Sequence, residues 1–112
     1  YALSFEQKTS VSTETADTIA DGLACRVPDQ AALEIILQGA DNVVTVSEQE
    51  ILCAMKYYYT DTHNVAEGAA AAPLAALLKE REQLSGKAEK KVGLVHSGGN
   101  ADTKLLISVL GD

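Results

Sequence analysis

The stretch of this 112-residue chain best equipped for chemistry is "HSGGNAD", residues 96–102. Ser97 offers a hydroxyl that both donates and accepts, Asn100 offers an amide, and Gly98 and Gly99 leave backbone N–H groups open to a ligand. Such a set can hold the polar edge of a small molecule without bringing a charge to it. Two adjacent glycines give up packing and add backbone freedom that folding must remove, so they mark either unusual dihedrals or a close approach. The apolar run "VGLV", residues 92–95, stands just before them and a helix start just after. In α/β proteins ligands sit at that place, beyond the carboxyl end of a parallel strand. A phosphate cradle is the rival reading, but neither GxGxxG nor a Walker pattern is present. A glycine-rich strand-to-helix turn without a ligand accounts for the same residues.

Glu67 precedes an alanine-rich helix, whose positive end favours a carboxylate by some tenths of a kcal/mol. A capping role and a site role therefore weigh equally for it. His63 and His96 are too isolated for a metal cluster, and no carboxylate or cysteine stands at ligand spacing from either, so no metal is expected. His96 adjoins Ser97, but neighbouring side chains on a strand point to opposite faces, which argues against a Ser/His nucleophile pair. Cys25 and Cys53 lack CxxC spacing and read as two reduced, partly buried thiols, which fits a reducing, cytoplasmic setting.

These groups need elements to hold them. Residues 1–20 carry seven Ser or Thr and read mostly as loop, with a short helix at "YALSFEQ". Asp21-Gly22 is a turn signal. Asp29 can cap a helix over residues 30–38 whose Leu33, Ile36 and Leu37 share a face and which Gly39 stops. "NVVTV", residues 42–46, reads as a short strand, and Ser47 with Glu50 has the spacing of a capping box. The following helix runs to about Thr62, with Ile51, Leu52, Met55, Tyr58 and Tyr59 on its buried stripe. "EGAAAAPLAALLKEREQL" reads as the next helix, with Pro73 tolerable only in the first turn. "VGLV" suits a strand buried on both faces of a parallel sheet, and Asn100 or Asp102 can cap a last helix over residues 103–110.

The order of elements argues for an α/β fold with parallel strands. Two strands of the buried kind cannot by themselves make a sheet covered on both faces, so strands from elsewhere must complete it. The length suits one compact unit, residues 1–112, rather than two domains. A formal charge of -7 and a pI near 4.7 would repel a phosphate backbone or an anionic lipid surface, so nucleic acid is not an expected partner. The longest apolar stretch, residues 69–78, is too short to cross a bilayer, and residues 1–20 lack the order of a signal peptide. No membrane association is expected.

Taken together, "TIADGLACR", "NVVTVSEQEI", "HNVAEGAAAAPLAALL" and "VGLVHSGGNAD" resemble, in order and separation, the carboxyl-terminal part of threonine/serine dehydratases. These belong to the fold type II pyridoxal-phosphate family, whose members include serine racemase and hydroxyaspartate ammonia-lyase. The resemblance covers residues 18–110. It implies a partial three-layer αβα unit with parallel strands, the C-terminal portion of the tryptophan-synthase-β-like fold, with the N-terminal remainder outside this chain. It also implies pyridoxal 5'-phosphate as cofactor and an amino acid as substrate, with L-threonine or L-serine losing water and then ammonia to give a 2-oxo acid.

By the same resemblance, the Ser97 hydroxyl meets the pyridine nitrogen of the cofactor. Gly22 of "ADG" passes close to the ring, Gly98 belongs to the same loop, and Glu67 stands near the substrate or the phenolic oxygen. Asn100 holds the loop. A hydroxyl at the ring nitrogen leaves it largely unprotonated, where an aspartate would keep it protonated, and this favours elimination over transamination. Two departures stand out: Gly68 where many relatives have Pro after the glutamate, and His96 where relatives usually carry an apolar residue. The lysine that binds the cofactor covalently, the substrate loop and the tetraglycine phosphate cradle have no match here. Lys8, Lys56, Lys79, Lys87, Lys90, Lys91 and Lys104 lie in no such context. The expectation is a chain inactive alone, working as a homo-oligomer or in association with the missing N-terminal part. No regulatory ACT-type domain is expected after Asp112. The alternatives from other classes are a stand-alone small-molecule or nucleotide-binding module built on "SGGN", and a non-catalytic interaction domain.

Overall fold

The computed structural model describes residues 1–84 and 90–111. They group into two compact units, one of residues 1–18 and 23–45 and one of residues 19–22 and 46 onward. In the first, α1 (Ala2–Gln7) packs on α2 (Gln30–Gly39). The Asp29 carboxylate caps α2 as its sequence position predicts, accepting from the Ala32 N–H at 2.9 Å. Leu33 is fully buried, with Ile36 and Leu37 beside it on the half-buried face. Gly39 closes the last turn of α2 rather than stopping it one residue earlier. The loop between the helices is tied down by polar groups: the buried Ser4 hydroxyl accepts from Val11 N–H at 2.8 Å, and the Tyr1 hydroxyl accepts from Asp29 N–H at 3.0 Å.

The second unit holds α3 (Glu48–Thr62), α4 (Gly68–Leu84) and α5 (Thr103–Gly111), with α3 packed on both of the others. Ser47 and Glu50 form the predicted capping box. Ser47 N–H donates to Glu50 Oε2 at 2.7 Å, and Glu50 N–H donates to Ser47 Oγ at 3.2 Å. The core joins Ile51, Ala54 and Met55 of α3 to Ala70, Ala71 and Ala75 of α4 and to Val109 of α5. Alanines on α4 let two helix backbones come close, so small residues here do the packing that larger ones do elsewhere. Of the expected stripe, Tyr59 lies exposed and Ala54 takes the buried place instead.

Three expectations need correction. Pro73 lies in the second turn of α4, not the first. Its ring has no N–H to bond to the Ala69 carbonyl, so α4 forgoes one main-chain hydrogen bond there. Among the described residues there is no strand: residues 42–46 and 92–95 lie in no ladder. Val92 and Val95 are 50% and 74% exposed, not buried on both faces. β-branched residues favour a strand only where a ladder partner exists, and neither segment supplies the other. Finally, Cys53 is exposed while Cys25 is half-buried.

Hydrogen bonding to Ser47, first through its backbone N–H, lowers the pKa of Glu50 from the ordinary carboxylate range, with Lys79, 3.6 Å away, acting in the same direction. A depressed folded pKa contributes stability that is present above the unfolded value and is lost as pH falls through the folded one. Glu50→Gln keeps an acceptor for Ser47 but no charge. It should therefore be less stable than the parent at neutral pH, with the difference closing in acid, as denaturant titrations at several pH values would read. A difference that persists unchanged below the carboxylate range would assign it to packing.

Candidate functional site

α3 is capped by His63, whose left-handed φ of 58° lets its own N–H reach the Tyr59 carbonyl and the next N–H, that of Asn64, reach the Tyr58 carbonyl. Residues 64–67 then cross to α4. Glu67 is held by two main-chain bonds: its N–H donates to the Gly98 carbonyl at 3.1 Å, and its carbonyl accepts from Ala71 N–H at 3.0 Å in the first turn of α4. The SGGN loop is thereby seated on the N-terminus of α4. Its glycines serve close approach rather than unusual dihedrals, since neither has a left-handed φ. A Cβ on Gly98 would stand 3.0 Å from Glu67 Oε1, and one on Gly99 would stand 2.6 Å from the Val65 carbonyl oxygen.

The segment around Gly22 arrives at the same helix end. Ile19 N–H donates to Glu48 Oε2 at 3.0 Å, which ties the segment to α3. A Cβ on Gly22 would be 3.0 Å from that of Ala69, and one on Gly68 would be 2.9 Å from the Ile19 carbonyl oxygen. Past the loop, Asp102 Oδ1 accepts from the N–H groups of Lys104 and Leu105 at 3.0 and 3.1 Å. Asp102, not Asn100, therefore caps α5, and the Asn100 side chain is left at the mouth of an open recess of about 340 Å³. Asp21, Glu67, Asn100 and Asp102 line it with Ile19 and Leu105.

Of the five candidate residues, the fold brings Glu67 against Gly98 and puts Glu67 and Asn100 in one recess. Gly22 lies against Ala69, two residues on from Glu67, whereas Ser97 is exposed and is not among the residues that line the recess. Three participants escaped sequence reasoning: the Val65 carbonyl, Gly68 as the contact for residues 19–20, and the ring of Tyr58. Tyr58 meets His96 edge-on, with centroids 5.0 Å apart and planes at 90°. Gly68 could have been found, because a glycine beside a candidate carboxylate is the cue for close backbone approach. Nothing local marks a carbonyl or pairs Tyr58 with a residue 38 positions on. Among the described residues no three His, Cys, Asp or Glu side chains are grouped to hold a metal ion, and no helix is long and apolar enough to cross a membrane.

The sequence profile of the family described as pyridoxal-phosphate dependent enzyme matches residues 1–98. Over 94 residues the chain is 43% identical to the L-threonine ammonia-lyase of Geobacter sulfurreducens, a match covering 83% of this chain and 22% of that protein. It is 36% identical over 101 residues to the L-threo-3-hydroxyaspartate ammonia-lyase of Saccharomyces cerevisiae, covering 90% of this chain and 30% of that one. Its fold superposes on maize serine racemase with a TM-score of 0.83 at 28% identity, over 98% of this chain and 35% of the racemase. The chain thus spans about a fifth to a third of the length of these relatives. The resemblance carried by the four motifs is the one these matches show, and the chain belongs to the pyridoxal-phosphate dependent enzyme family.

Proposed function

We propose that this chain forms one wall of the cofactor site in an ammonia-lyase that converts L-threonine or L-serine to a 2-oxo acid and ammonia. The observation that carries the reading is the meeting of Glu67 with the SGGN loop across 31 residues of sequence, at the N-terminus of α4. Its support from relatives is the 43% identity to an L-threonine ammonia-lyase. When bound, pyridoxal 5'-phosphate supplies an electron-withdrawing ring conjugated to the substrate's Cα, which eases loss of the α-proton and of the β-hydroxyl.

The residues fit one end of that group. An exposed neutral hydroxyl on Ser97, next to a glycine with no side chain to obstruct it, suits the ring nitrogen. The recess that Glu67 and Asn100 line does not suit a phosphate, because Asp21 and Asp102 line it too and among the described residues no lysine or arginine does. We therefore assign the phosphate cradle and the covalently bound lysine to polypeptide outside residues 1–112. The working unit then requires the remainder of the enzyme, in a homo-oligomer or in association with this segment. In this reading Ser97 holds the ring nitrogen as a neutral partner, and Gly22 and Gly98 keep the ring's surroundings free of side chains. The Glu67 carboxylate holds a proton at the substrate or the phenolic oxygen, and Asn100 steadies the loop. Residues 42–46 and 92–95 become parallel strands of an αβα unit once neighbouring strands are present to pair with them.

The test is product analysis. The holoenzyme carrying these residues should release ammonia with 2-oxobutanoate from L-threonine and with pyruvate from L-serine, and the isolated chain supplied with cofactor should release neither. D-serine formation without any 2-oxo acid would overturn the lyase assignment, and turnover by the isolated chain would overturn the placement of the lysine.

A further inference from the structure

We infer that His96 and Tyr58 form a positioning pair for Ser97, an inference that rests on the proposed role of Ser97 at the ring nitrogen. Although His96 is exposed, its ring is engaged edge-on with that of Tyr58 at 5.0 Å. Tyr58 is a firm platform. Its side chain packs on the buried core, and its carbonyl accepts from Asn64 N–H at 3.2 Å and from Thr62 Oγ1 at 2.6 Å. On the far side of Ser97, the Gly98 carbonyl is bonded to Glu67 N–H and Gly99 is pressed to the Val65 carbonyl. Ser97 therefore stands between two anchors, one residue away on each side. Only the first of them is made by a side chain. The second fixes where the loop lies, and the first fixes the main chain entering Ser97 and with it the direction of the hydroxyl.

An edge-to-face ring pair is of modest strength, and at one decade per 1.36 kcal/mol its usual worth converts to a loss of about three- to tenfold. His96 touches neither substrate nor cofactor in this reading, so the loss should fall on kcat and leave KM within about twofold. The experiment uses the holoenzyme and compares His96→Ala, His96→Phe and Ser97→Ala by steady-state kinetics and by the absorption band of the bound cofactor, which responds to the partner of the ring nitrogen. Because His96 is exposed, these variants should fold. His96→Ala should move the band in the direction that Ser97→Ala moves it, by less, and lower kcat three- to tenfold. His96→Phe, which restores a ring edge without an imidazole, should return both to the parent values.

Failure of His96→Phe to restore them would overturn the ring contact as the cause. A His96→Ala enzyme with unchanged band and kcat, whatever its melting temperature, would overturn the positioning role while a shifted Ser97→Ala enzyme left the Ser97 reading standing. A Ser97→Ala enzyme that is itself unchanged would overturn both.

Discussion

Ser97→Ala in the holoenzyme should lower kcat about ten- to a hundredfold with the cofactor still fully attached. The size follows from leaving the neutral ring nitrogen, an acceptor shut off from water in the assembled site, without its partner, which costs about 1–3 kcal/mol. The side chain is exposed beside a seated loop, so its truncation leaves no cavity and should leave folding intact. Ser97→Asp takes the same position in the opposite electrostatic direction. A carboxylate there favours a proton on the ring nitrogen, strengthens the ring as an electron sink and should divert flux from elimination toward transamination and racemisation. Steady-state rates, cofactor absorbance and product ratios read the three enzymes against one another. Parent-like kinetics in Ser97→Ala would remove Ser97 from the site, and parent-like spectra and products in Ser97→Asp would count against its facing the nitrogen.

The helices were legible because their signals are local. Asp29 lies three residues before the N–H it caps, and Ser47 and Glu50 bond to each other across one turn, so neither depends on the rest of the molecule. Strands are another matter. "NVVTV" and "VGLV" have the composition of strands, but a strand is a relation between segments, and among the described residues neither takes part in a ladder. Pro73 was misplaced because the rule that favours proline in a first turn is a preference: α4 begins at Gly68 and continues through Pro73 without the bond to the Ala69 carbonyl. At the site, the chemistry of Ser97 and Asn100 could be read from their types, whereas the seating of the loop could not. That seating depends on backbone groups of residues 65 and 67, and a carbonyl has no residue letter. The choice left open for the two glycines, between dihedral freedom and close approach, turns on what faces them, and the Glu67 carboxylate and the Val65 carbonyl make it close approach.

Gly99→Ala should cost about 1–3 kcal/mol of stability and misplace the loop, while Gly98→Ala should cost well under that. The two glycines are adjacent and look equivalent in sequence, but what faces them differs. A Cβ on Gly99 would stand 2.6 Å from a main-chain oxygen, that of Val65, and a carbonyl cannot rotate away without moving its peptide plane. That plane continues into Ala66, which is buried in the core, so the SGGN loop gives way instead and the bond from Glu67 N–H to the Gly98 carbonyl goes with it. A Cβ on Gly98 meets the carboxylate of Glu67, the far end of a flexible, half-buried side chain, at 3.0 Å. Rotation of that side chain relieves the contact at little cost in stability, but it swings the carboxylate out of position. Denaturant melts and steady-state kinetics on the two variants separate these effects. Gly99→Ala should lose both stability and activity, and Gly98→Ala should lose activity with stability nearly intact. Equal destabilisation by the two substitutions would mean that Glu67 is as fixed as the backbone. Full activity in Gly98→Ala would mean that the Glu67 carboxylate does its work, if any, without regard to where this contact holds it.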